Sequence, residues 1–249
     1  MTQAPALSVL IPFFNEAGNV HPVLDEVHAA LSGIDFEIVC VNDCSGDATG
    51  AELAEAMAKR PGTVRVLTHV ARRGKSAALF TGLKDVRGTW VQLLDGDGQN
   101  DPADTARIWH ARIAPGAPPR LGIIAGKRNS RNDSGFKWVQ SRVANGVRRF
   151  VLQDDATDTG CGWKLIRTAA FRDLPFFASM HRFLPALIKR AGWEVSEELV
   201  NDRPRLAGQS KYGFLGRLGA GIFDLAGMFW LVRRGGYGVA AEWNDPRGG

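Results

Sequence analysis

Short apolar runs alternate with helical patterns through the first half of the chain, and this alternation restricts its fold more than any other feature. The runs are rich in Val, Ile and Leu and too short for long helices, so they suit strands buried on both faces of a parallel sheet. The alternation therefore predicts an α/β fold, with a doubly wound, mostly parallel sheet flanked by helices and with ligands bound beyond the carboxyl ends of the strands. The predicted strands are Leu7–Phe13, Phe36–Asn42, Val64–Thr68, Trp90–Asp95 and Leu121–Gly126, and the helices between them lie near Gly18–Leu31, Asp47–Lys59, Gly74–Val86 and Ala103–Arg112.

The pattern changes after residue 126, where polar and basic residues become frequent. Apolar residues at helical spacing predict an amphipathic helix over Phe136–Leu152, with basic side chains along it. A further helix is expected over Ser179–Ala191, followed by a strand near Trp193–Val200. The chain is therefore expected to continue the α/β domain and to add amphipathic helices toward its C-terminus.

The segment Phe214–Val232 comes nearest to a membrane span. Nineteen helical residues measure roughly 28 Å, which approaches the thickness of the hydrocarbon layer. Arg217 and Asp224 interrupt the segment, and each costs about 2.5–3.5 kcal/mol at the centre of a bilayer. We therefore expect a helix that lies in the membrane interface or packs on the domain, or that joins two copies of the chain, in preference to a span.

The charge balance restricts the classes of partner. The 249 residues include 31 Lys and Arg against 26 Asp and Glu, a formal net charge of +5. This excess favours nucleic acid, a membrane surface or a phosphorylated substrate. Aromatic and basic residues do not interleave on a predicted sheet face, so nucleic acid is not expected. Cys40, Cys44 and Cys161 form no C-x-x-C pair, which excludes a zinc finger or a disulfide framework, and the N-terminus lacks the basic start of a signal peptide.

The segment LLDGDGQNDP at residues 93–102 is the strongest chemical motif. Asp95 ends a predicted strand, and Asp97 and Gln99 follow it closely. Hard oxygen ligands at a strand end suit Mg²⁺ or Mn²⁺ that also holds phosphates. An ordinary acidic turn is the alternative for this composition.

Two other strands are followed by polar residues that face the same edge of the predicted sheet. Asn15 and Glu16 follow the first strand, and Asp43 follows the second, where its carboxylate could accept hydrogen bonds from a nucleobase. A turn with a helix start is the alternative for the first pair, and Ser45 and Asp47 are expected to cap the next helix.

Basic residues concentrate around these acidic motifs. The segment RRGKSAAL lacks the first glycine of a P-loop, but its Gly74–Lys75 step still places a turn and a cation near phosphate. Residues 126–142 and 203–213 each form a basic cluster. Solvated surface charge is the default for any one of these side chains, whereas two clusters beside an acidic metal motif indicate several anionic groups.

Six segments in this order resemble the family 2 glycosyltransferases of GT-A fold, in particular the dolichol-phosphate mannose synthase branch, over roughly residues 7–213. They are PFFNE, VNDCSGDAT, RRGKSAAL, LLDGDGQNDP, TDTGCGWKLIR and RPRLAGQSKYG. The resemblance implies that Asp95 and Asp97 form a D-x-D motif, with Asp97 and Gln99 preferred as ligands of Mg²⁺ or Mn²⁺. It also implies a pocket for the nucleoside of a nucleotide-sugar, formed by Pro12, Asn15, Glu16 and Asp43, with Lys75 close by.

The resemblance further implies that the basic residues face phosphates of the donor and of a lipid acceptor. Arg128 and Arg142 match two such positions, and Arg205, Ser210 and Lys211 match the block R-x-x-G-x-S-K. Asp158 falls in the block D-x-x-x-G-[FW]-[KR], where its role is structural or functional. The predicted helix Phe136–Leu152 matches one that lies in the membrane interface.

These features together lead to one expected function. We expect a catalytic domain over residues 1–213, with a nucleotide-sugar half to about 125 and an acceptor half after it, and a C-terminal segment 214–249. The protein would act as a peripheral enzyme at the cytoplasmic face of the cell membrane. It would transfer a sugar from a nucleotide-sugar to a polyprenyl phosphate, with inversion of the anomeric centre. Another glycolipid or saccharide acceptor, or an inactive binding protein, remains the alternative. The absence of Q-x-x-R-W argues against polymerisation, and the sequence leaves the sugar and the base, uridine or guanosine, open.

Overall fold

The computed structural model describes residues 4–129, 152, 156–204 and 214–234, with side chains from residue 223 onward in the last of these segments. Its strands are β1 (Leu7–Phe13), β2 (Phe36–Asn42), β3 (Val64–Thr68), β4 (Trp90–Leu93), β5 (Leu121–Arg128), β6 (Lys164–Arg167) and β7 (Glu194–Val200). They form one sheet in the order β3-β2-β1-β4-β6-β5-β7. The first four strands of this order are parallel, β6 is antiparallel to both of its neighbours, and β5 pairs with β7 in parallel.

Helices cover both faces of this sheet. They are α1 (Val20–Ala30), α2 (Thr49–Lys59), α3 (Lys75–Leu83), α4 (Pro102–Ile108), α5 (Thr168–Arg172), α6 (Leu184–Arg190) and α7 (Phe214–Arg234). Buried side chains of α1, α2 and α4 belong to one apolar core, and those of α3, α5 and α6 belong to a second. The predicted α/β architecture, a mostly parallel sheet between two layers of helices, is therefore confirmed.

The strand order reverses beside β1, and this reversal places the functional edge of the sheet. β2 and β3 lie on one side of β1 and β4 lies on the other, so the chain first adds strands toward one edge of the sheet and then crosses back over β1 to add strands toward the other edge. In open α/β sheets ligands bind in the crevice at such a switch point, beyond the carboxyl ends of the strands. The loops that follow β1, β2 and β4 are the ones that carry the predicted motifs.

Several elements differ from the prediction. β6 was not predicted, because it has four residues and begins and ends with a basic side chain. The helix predicted over Ser179–Ala191 is divided into a 3₁₀ turn, Met180–Arg182, and α6, because Ser179 adopts a left-handed conformation (φ 67°) and α6 begins with Leu184 and Pro185.

β4 ends at Leu93, so Asp95 lies in the following loop, and a π-helical turn, Trp109–Ile113, continues α4. The helix predicted over Phe136–Leu152 lies outside the described residues, apart from its last position.

Helix α7 lies against the domain with part of its surface uncovered. Met228 is buried in the second core, whereas Phe223 and Trp230 are 81% and 61% exposed. No helix in the described segments has both the length and the mean hydropathy that crossing a membrane requires. Packing of this helix on the domain, one of the expected arrangements, is therefore observed at Met228.

A buried carboxylate ties the amino-terminal ends of the strands together, opposite the functional edge. Glu37 of β2 accepts hydrogen bonds from the Ser8 hydroxyl (2.6 Å), the Arg65 guanidinium (2.9 Å) and the backbone and side chain of Arg87 (both 2.7 Å). Burial opposes ionisation of Glu37, but these donors and the charge of Arg65 outweigh it and hold the pKa of the carboxyl below its usual value. No motif in the sequence points to Glu37.

Glu37→Gln is expected to lower the free energy of unfolding at neutral pH by about 1–3 kcal/mol, because it removes a buried charge that two half-exposed arginines share. A folded-state pKa below the unfolded value of about 4.3 stabilises the fold at neutral pH, and this contribution is lost as the pH falls through the folded-state pKa. Urea unfolding between pH 7 and pH 3 should therefore show a weaker pH dependence for the variant. Glu55→Gln, whose side chain is 62% exposed, is the control, and an equal loss in both variants would contradict the assignment.

Candidate functional site

The loop after β1 is held to the loop after β2 by hydrogen bonds. The Asn15 side-chain oxygen accepts from the Gly46 N–H (2.8 Å), and the Asn15 N–H donates to the Ser45 hydroxyl (3.0 Å). Asn15 has a φ of 50°, a conformation that asparagine adopts more readily than most residues. Ser45 was expected to cap α2, but its hydroxyl instead supports the neighbouring loop by accepting from Asn15. Asp47 does accept from the Thr49 N–H at the start of that helix (3.0 Å).

Glu16 is built into the same pair of loops. Its backbone N–H donates to the Thr49 hydroxyl (2.8 Å), and its carboxylate accepts from the Asn19 side chain (2.8 Å). The alternative interpretation of this segment, a turn that starts a helix, thus describes its local structure. Pro12 lies within β1 beside Val41 of β2. These contacts give the two loops a fixed shape at the switch point, and a role in holding a nucleoside remains a prediction for Pro12, Asn15 and Glu16.

Asp43 has its carboxylate buried where β2 ends. The carboxylate accepts from the backbone N–H groups of Arg73 (2.8 Å) and Gly74 (2.7 Å), and it lies 2.8 Å from Nδ1 of His69. The other ring nitrogen of His69 lies 2.9 Å from the Thr81 hydroxyl. Asp43 therefore fixes the loop that leads into α3. The sequence analysis missed His69, because the two residues are 26 positions apart and no motif joins them.

Asp95 lies in the loop after β4 and forms an ion pair with Lys75, the first residue of α3. Burial opposes its ionisation, but the charge and hydrogen bond of Lys75, together with the charge of Lys164, keep the pKa of the Asp95 carboxyl below its usual value. The Asp95 N–H donates to the Asn100 side chain (3.0 Å). Gly162 lies directly behind the carboxylate, since a Cβ atom there would come within 2.3 Å of Asp95 Oδ2. The structure thus brings Asp95 and Lys75 together at the switch point of the sheet.

Asp97 and Gln99 complete the loop. Asp97 as a whole residue is only 7% exposed, and its carboxylate accepts a hydrogen bond from the Gln99 N–H (3.1 Å). The Gln99 side chain donates to the carbonyl of Arg203 (3.3 Å), and its backbone carbonyl accepts from the Arg203 N–H (2.9 Å). The acidic loop is therefore attached to the segment that leads from β7 into residues 205–213.

The donor set of this loop fits a divalent cation that is also held by substrate phosphates. No group of three or more His, Cys, Asp or Glu side chains that could hold a metal occurs in the part of the chain that the structure describes. A Mg²⁺ site of the substrate-assisted kind needs only one or two carboxylates from the protein, with phosphates and water supplying the other ligands. Asp95 and Asp97, two residues apart at the switch point, are such a pair, and the Gln99 amide adds a third oxygen.

A cavity of about 290 Å³ lies next to this loop. Three cations line it, Lys75, Lys164 and Arg182, together with His181 and an apolar wall. Burial lowers the pKa of Lys164 to about 8, against the opposing charges of Asp95 and Asp158. Burial and the neighbouring cations hold the pKa of His181 well below its usual value, so the ring is neutral at pH 7. Sequence reasoning missed His181 and gave Lys164 no role.

Arg128, at the end of β5, forms a two-pronged ion pair with Asp158. Its Nε and Nη2 atoms lie 2.7 and 2.9 Å from the two carboxylate oxygens, and its Nη1 lies 3.8 Å from Asp202. The neighbouring carboxylates raise the pKa of this guanidinium, against the effect of burial. Asp158 thus orients Arg128, and a contact of Arg128 with phosphate remains a prediction. The other predicted phosphate-binding residues, Arg142, Arg205, Ser210 and Lys211, lie outside the described residues.

The sequence matches a known family over most of its length. The family model of "Glycosyl transferase family 2" matches residues 8–175. Dodecaprenyl-phosphate galacturonate synthase of Rhizobium johnstonii is 28% identical over 236 residues, which cover 93% of this chain and 68% of that protein. Undecaprenyl-phosphate 4-deoxy-4-formamido-L-arabinose transferase of Edwardsiella ictaluri is 30% identical over 213 residues, which cover 84% of this chain and 63% of that protein. The chain thus spans 63–68% of the length of these two relatives.

Solved structures share the fold. Glucosyl-3-phosphoglycerate synthase from Mycobacterium tuberculosis, in complex with uridine diphosphate, superposes with a TM-score of 0.67 at 16% identity, over 92% of this chain and 80% of that chain. A mannosyltransferase from Pyrobaculum calidifontis, in complex with GDP-Man and Mn²⁺, superposes with a TM-score of 0.65 at 18% identity, over 94% of this chain and 66% of that chain. At these identities the likeness concerns the architecture alone.

Proposed function

Because this chain belongs to glycosyl transferase family 2 and has the GT-A fold, we propose that it transfers a sugar from a nucleotide-sugar to a polyprenyl phosphate. The family and fold predicted from the six motifs are thereby confirmed. One observation carries the proposal: Asp95 and Asp97 follow β4 at the switch point of the sheet, and Lys75 and a cationic cavity lie beside them. The names of the two relatives, which both refer to polyprenyl-phosphate sugars, support this choice of acceptor.

The loops at the switch point have the groups that a nucleotide-sugar requires. Asp43, Asn15 and Glu16 would contact the nucleoside, and the charge of Lys75 suits the diphosphate. Asp95, Asp97 and Gln99 would hold a Mg²⁺ or Mn²⁺, which supplies neutralising charge to the leaving diphosphate. A solved neighbour that contains GDP-Man and Mn²⁺ supports a divalent ion in this fold.

The proposed acceptor explains why the site is rich in cations. A phosphate is already ionised at pH 7, so its attack on the sugar requires no strong general base, and positioning and electrostatics dominate. Arg128, held by Asp158, would present its remaining donors to an oxyanion, and Arg142, Arg205, Ser210 and Lys211 are proposed to serve the same phosphates. A single displacement of this kind inverts the anomeric centre. In this proposal residues up to about 125 bind the donor, and those from 126 to 213 bind the acceptor.

A panel of donors tests this function. The purified full chain is incubated with undecaprenyl phosphate in detergent, Mg²⁺ or Mn²⁺ and UDP- and GDP-sugars that include neutral hexoses, hexuronates and aminopentoses. Mass spectrometry should detect a polyprenyl-phosphate sugar with at least one donor, and chelation of the metal should prevent its formation. Transfer of the sugar to a saccharide or to another glycolipid supplied as acceptor, with release of the nucleotide, would favour the alternative acceptor. No product with any donor would contradict the proposal.

We further propose that the enzyme acts as a peripheral protein at the cytoplasmic face of the membrane. A polyprenyl tail stays in lipid, so the active site has to approach a membrane surface. The exposed Phe223 and Trp230 are seven positions apart, on one side of α7, and such apolar side chains suit the boundary between headgroups and acyl chains. The basic helix predicted over residues 136–152 would add attraction to anionic lipids.

The double variant Phe223→Ser, Trp230→Ser is expected to lose most of its binding to liposomes that contain anionic lipid, because it removes the exposed apolar side of α7. Flotation of the full chain through a density gradient measures this binding. Val70→Ser, which changes a residue that is 96% exposed elsewhere on the domain, should float like the wild type. Equal flotation of all three proteins would exclude α7 as the contact.

A further inference from the structure

The cavity beside Asp95 has an excess of positive charge that the described side chains around it do not balance. The Asp95 carboxylate is paired with Lys75, and the Asp158 carboxylate is paired with Arg128 through two hydrogen bonds. Lys164, which is 4% exposed, donates from Nζ to a neutral acceptor, the carbonyl of Cys161. The two carboxylates whose charges act on Lys164 are therefore already held by other cations.

A buried ammonium group of this kind is costly unless an anion compensates it. The pKa of Lys164, lowered to about 8, still leaves the group mostly protonated at pH 7. Arg182 lines the same cavity and adds a second cation. An anionic ligand would supply the compensation that the surrounding side chains do not.

The neutral His181 ring offers a hydrogen-bond donor at the same wall. The Ser76 hydroxyl oxygen accepts from the His181 backbone N–H (3.4 Å) and lies 2.8 Å from Nδ1 of the ring. A hydroxyl that accepts one hydrogen bond has its own proton available for the ring nitrogen, which favours the tautomer with its proton on Nε2. In this tautomer the Nε2–H is the group that the ring can donate to a ligand.

We propose that this cavity binds one oxyanion of a substrate through Lys164, Arg182 and His181. The volume of about 290 Å³ is just below the range for ligand pockets, about 300–1,000 Å³, so the cavity suits a group of monosaccharide size and not a lipid tail. Two sources have this chemistry: a carboxylate on the transferred sugar and the phosphate of the acceptor. The inference rests on the proposed function for its choice of substrate, but binding of a free anion requires no turnover.

Binding of small anions to the full chain tests this site. Ligand-observed NMR is used to titrate the protein with galacturonate, with inorganic phosphate and with galactose, which has the shape of galacturonate without its charge. At least one anion should bind and galactose should not compete with it. Lys164→Met should lower the affinity for that anion by about tenfold or more, which is the loss expected when a charge-assisted hydrogen bond is removed. Lys84→Met removes an exposed lysine that stacks on Phe80 and should leave the affinity unchanged.

The two anions separate the two sources. If Lys164→Met lowers the affinity for galacturonate, the site is assigned to a sugar carboxylate. If it lowers the affinity for phosphate, the site is assigned to the phosphate of the acceptor. Arg182→Gln, which changes a partly exposed residue that lines the cavity, provides the same comparison if Lys164→Met does not fold. Anion affinities that are unchanged in the folded variants would overturn the oxyanion site, whereas failure to form any glycolipid with normal anion binding would count against the proposed function alone.

Discussion

Replacing Asp97 with asparagine is expected to lower the turnover number by about three orders of magnitude, because a metal held at a leaving diphosphate contributes several kcal/mol to the barrier. The asparagine side chain can still accept the hydrogen bond from the Gln99 N–H that Asp97 accepts now (3.1 Å). The fold should therefore persist, and the loss should appear in turnover and in the affinity for Mn²⁺ measured with the nucleoside diphosphate of the best donor bound.

Asp101→Asn is the matched control for this change. It removes the same charge from the same loop, but Asp101 caps α4 by accepting from the Ala103 N–H (3.0 Å), and asparagine caps a helix equally well. Turnover and Mn²⁺ affinity should stay within a few-fold of the wild type. Wild-type turnover in Asp97→Asn, or equal losses in the two variants, would remove Asp97 from the metal site.

Gly162→Ala is expected to reduce turnover by about 100-fold with little loss of stability, since a displacement of about 1 Å at a reacting centre has an effect of this size. The added methyl group would lie 2.3 Å from Asp95 Oδ2 and 3.0 Å from the Asn100 side-chain oxygen. A carboxylate at the end of a side chain can move, so we expect the Asp95–Lys75 pair to shift and the surrounding backbone to remain.

Thermal unfolding and steady-state kinetics distinguish this effect from a general loss of structure. Gly227→Ala adds a methyl group to α7 where no described atom outside the helix's own backbone lies within 4 Å. It should leave turnover unchanged and should not lower the melting temperature, because alanine favours a helix more than glycine does. A Gly162→Ala enzyme with wild-type turnover would show that the position of Asp95 is not critical. A large fall in melting temperature would show that the backbone moves instead of the carboxylate.

The parallel half of the fold could be predicted because its strands are near-continuous apolar runs. β1, β2 and β3 have the predicted bounds. β1 and β2 are buried on both faces, which produces the pattern that the sequence shows, whereas β3, at the edge of the sheet, is only partly buried. Polar residues directly after such strands meet at one edge by topology alone. This is why Asp43 and Asp95 could be assigned to one site before any contact was known.

The other half depends on contacts between distant residues, which local patterns do not record. β6 is short and basic at both ends, and its place between β4 and β5 is decided by pairing across the sheet. Lys164 occupies the last position of the block D-x-x-x-G-[FW]-[KR], but the sequence pattern does not show that its side chain is buried beside the active-site loop. His69 and His181 likewise acquire their roles through partners 26 and 105 positions away, Asp43 and Ser76.

The most direct test of the central claim compares two acceptors that differ only in the phosphate. The full chain is supplied with Mn²⁺ and the donor that gives the highest turnover, together with undecaprenyl phosphate or undecaprenol, and the lipid products are identified by mass spectrometry. We predict that undecaprenyl phosphate gains one sugar and that undecaprenol gains none. Transfer to undecaprenol at the same rate, or nucleotide release with neither lipid modified, would contradict the account.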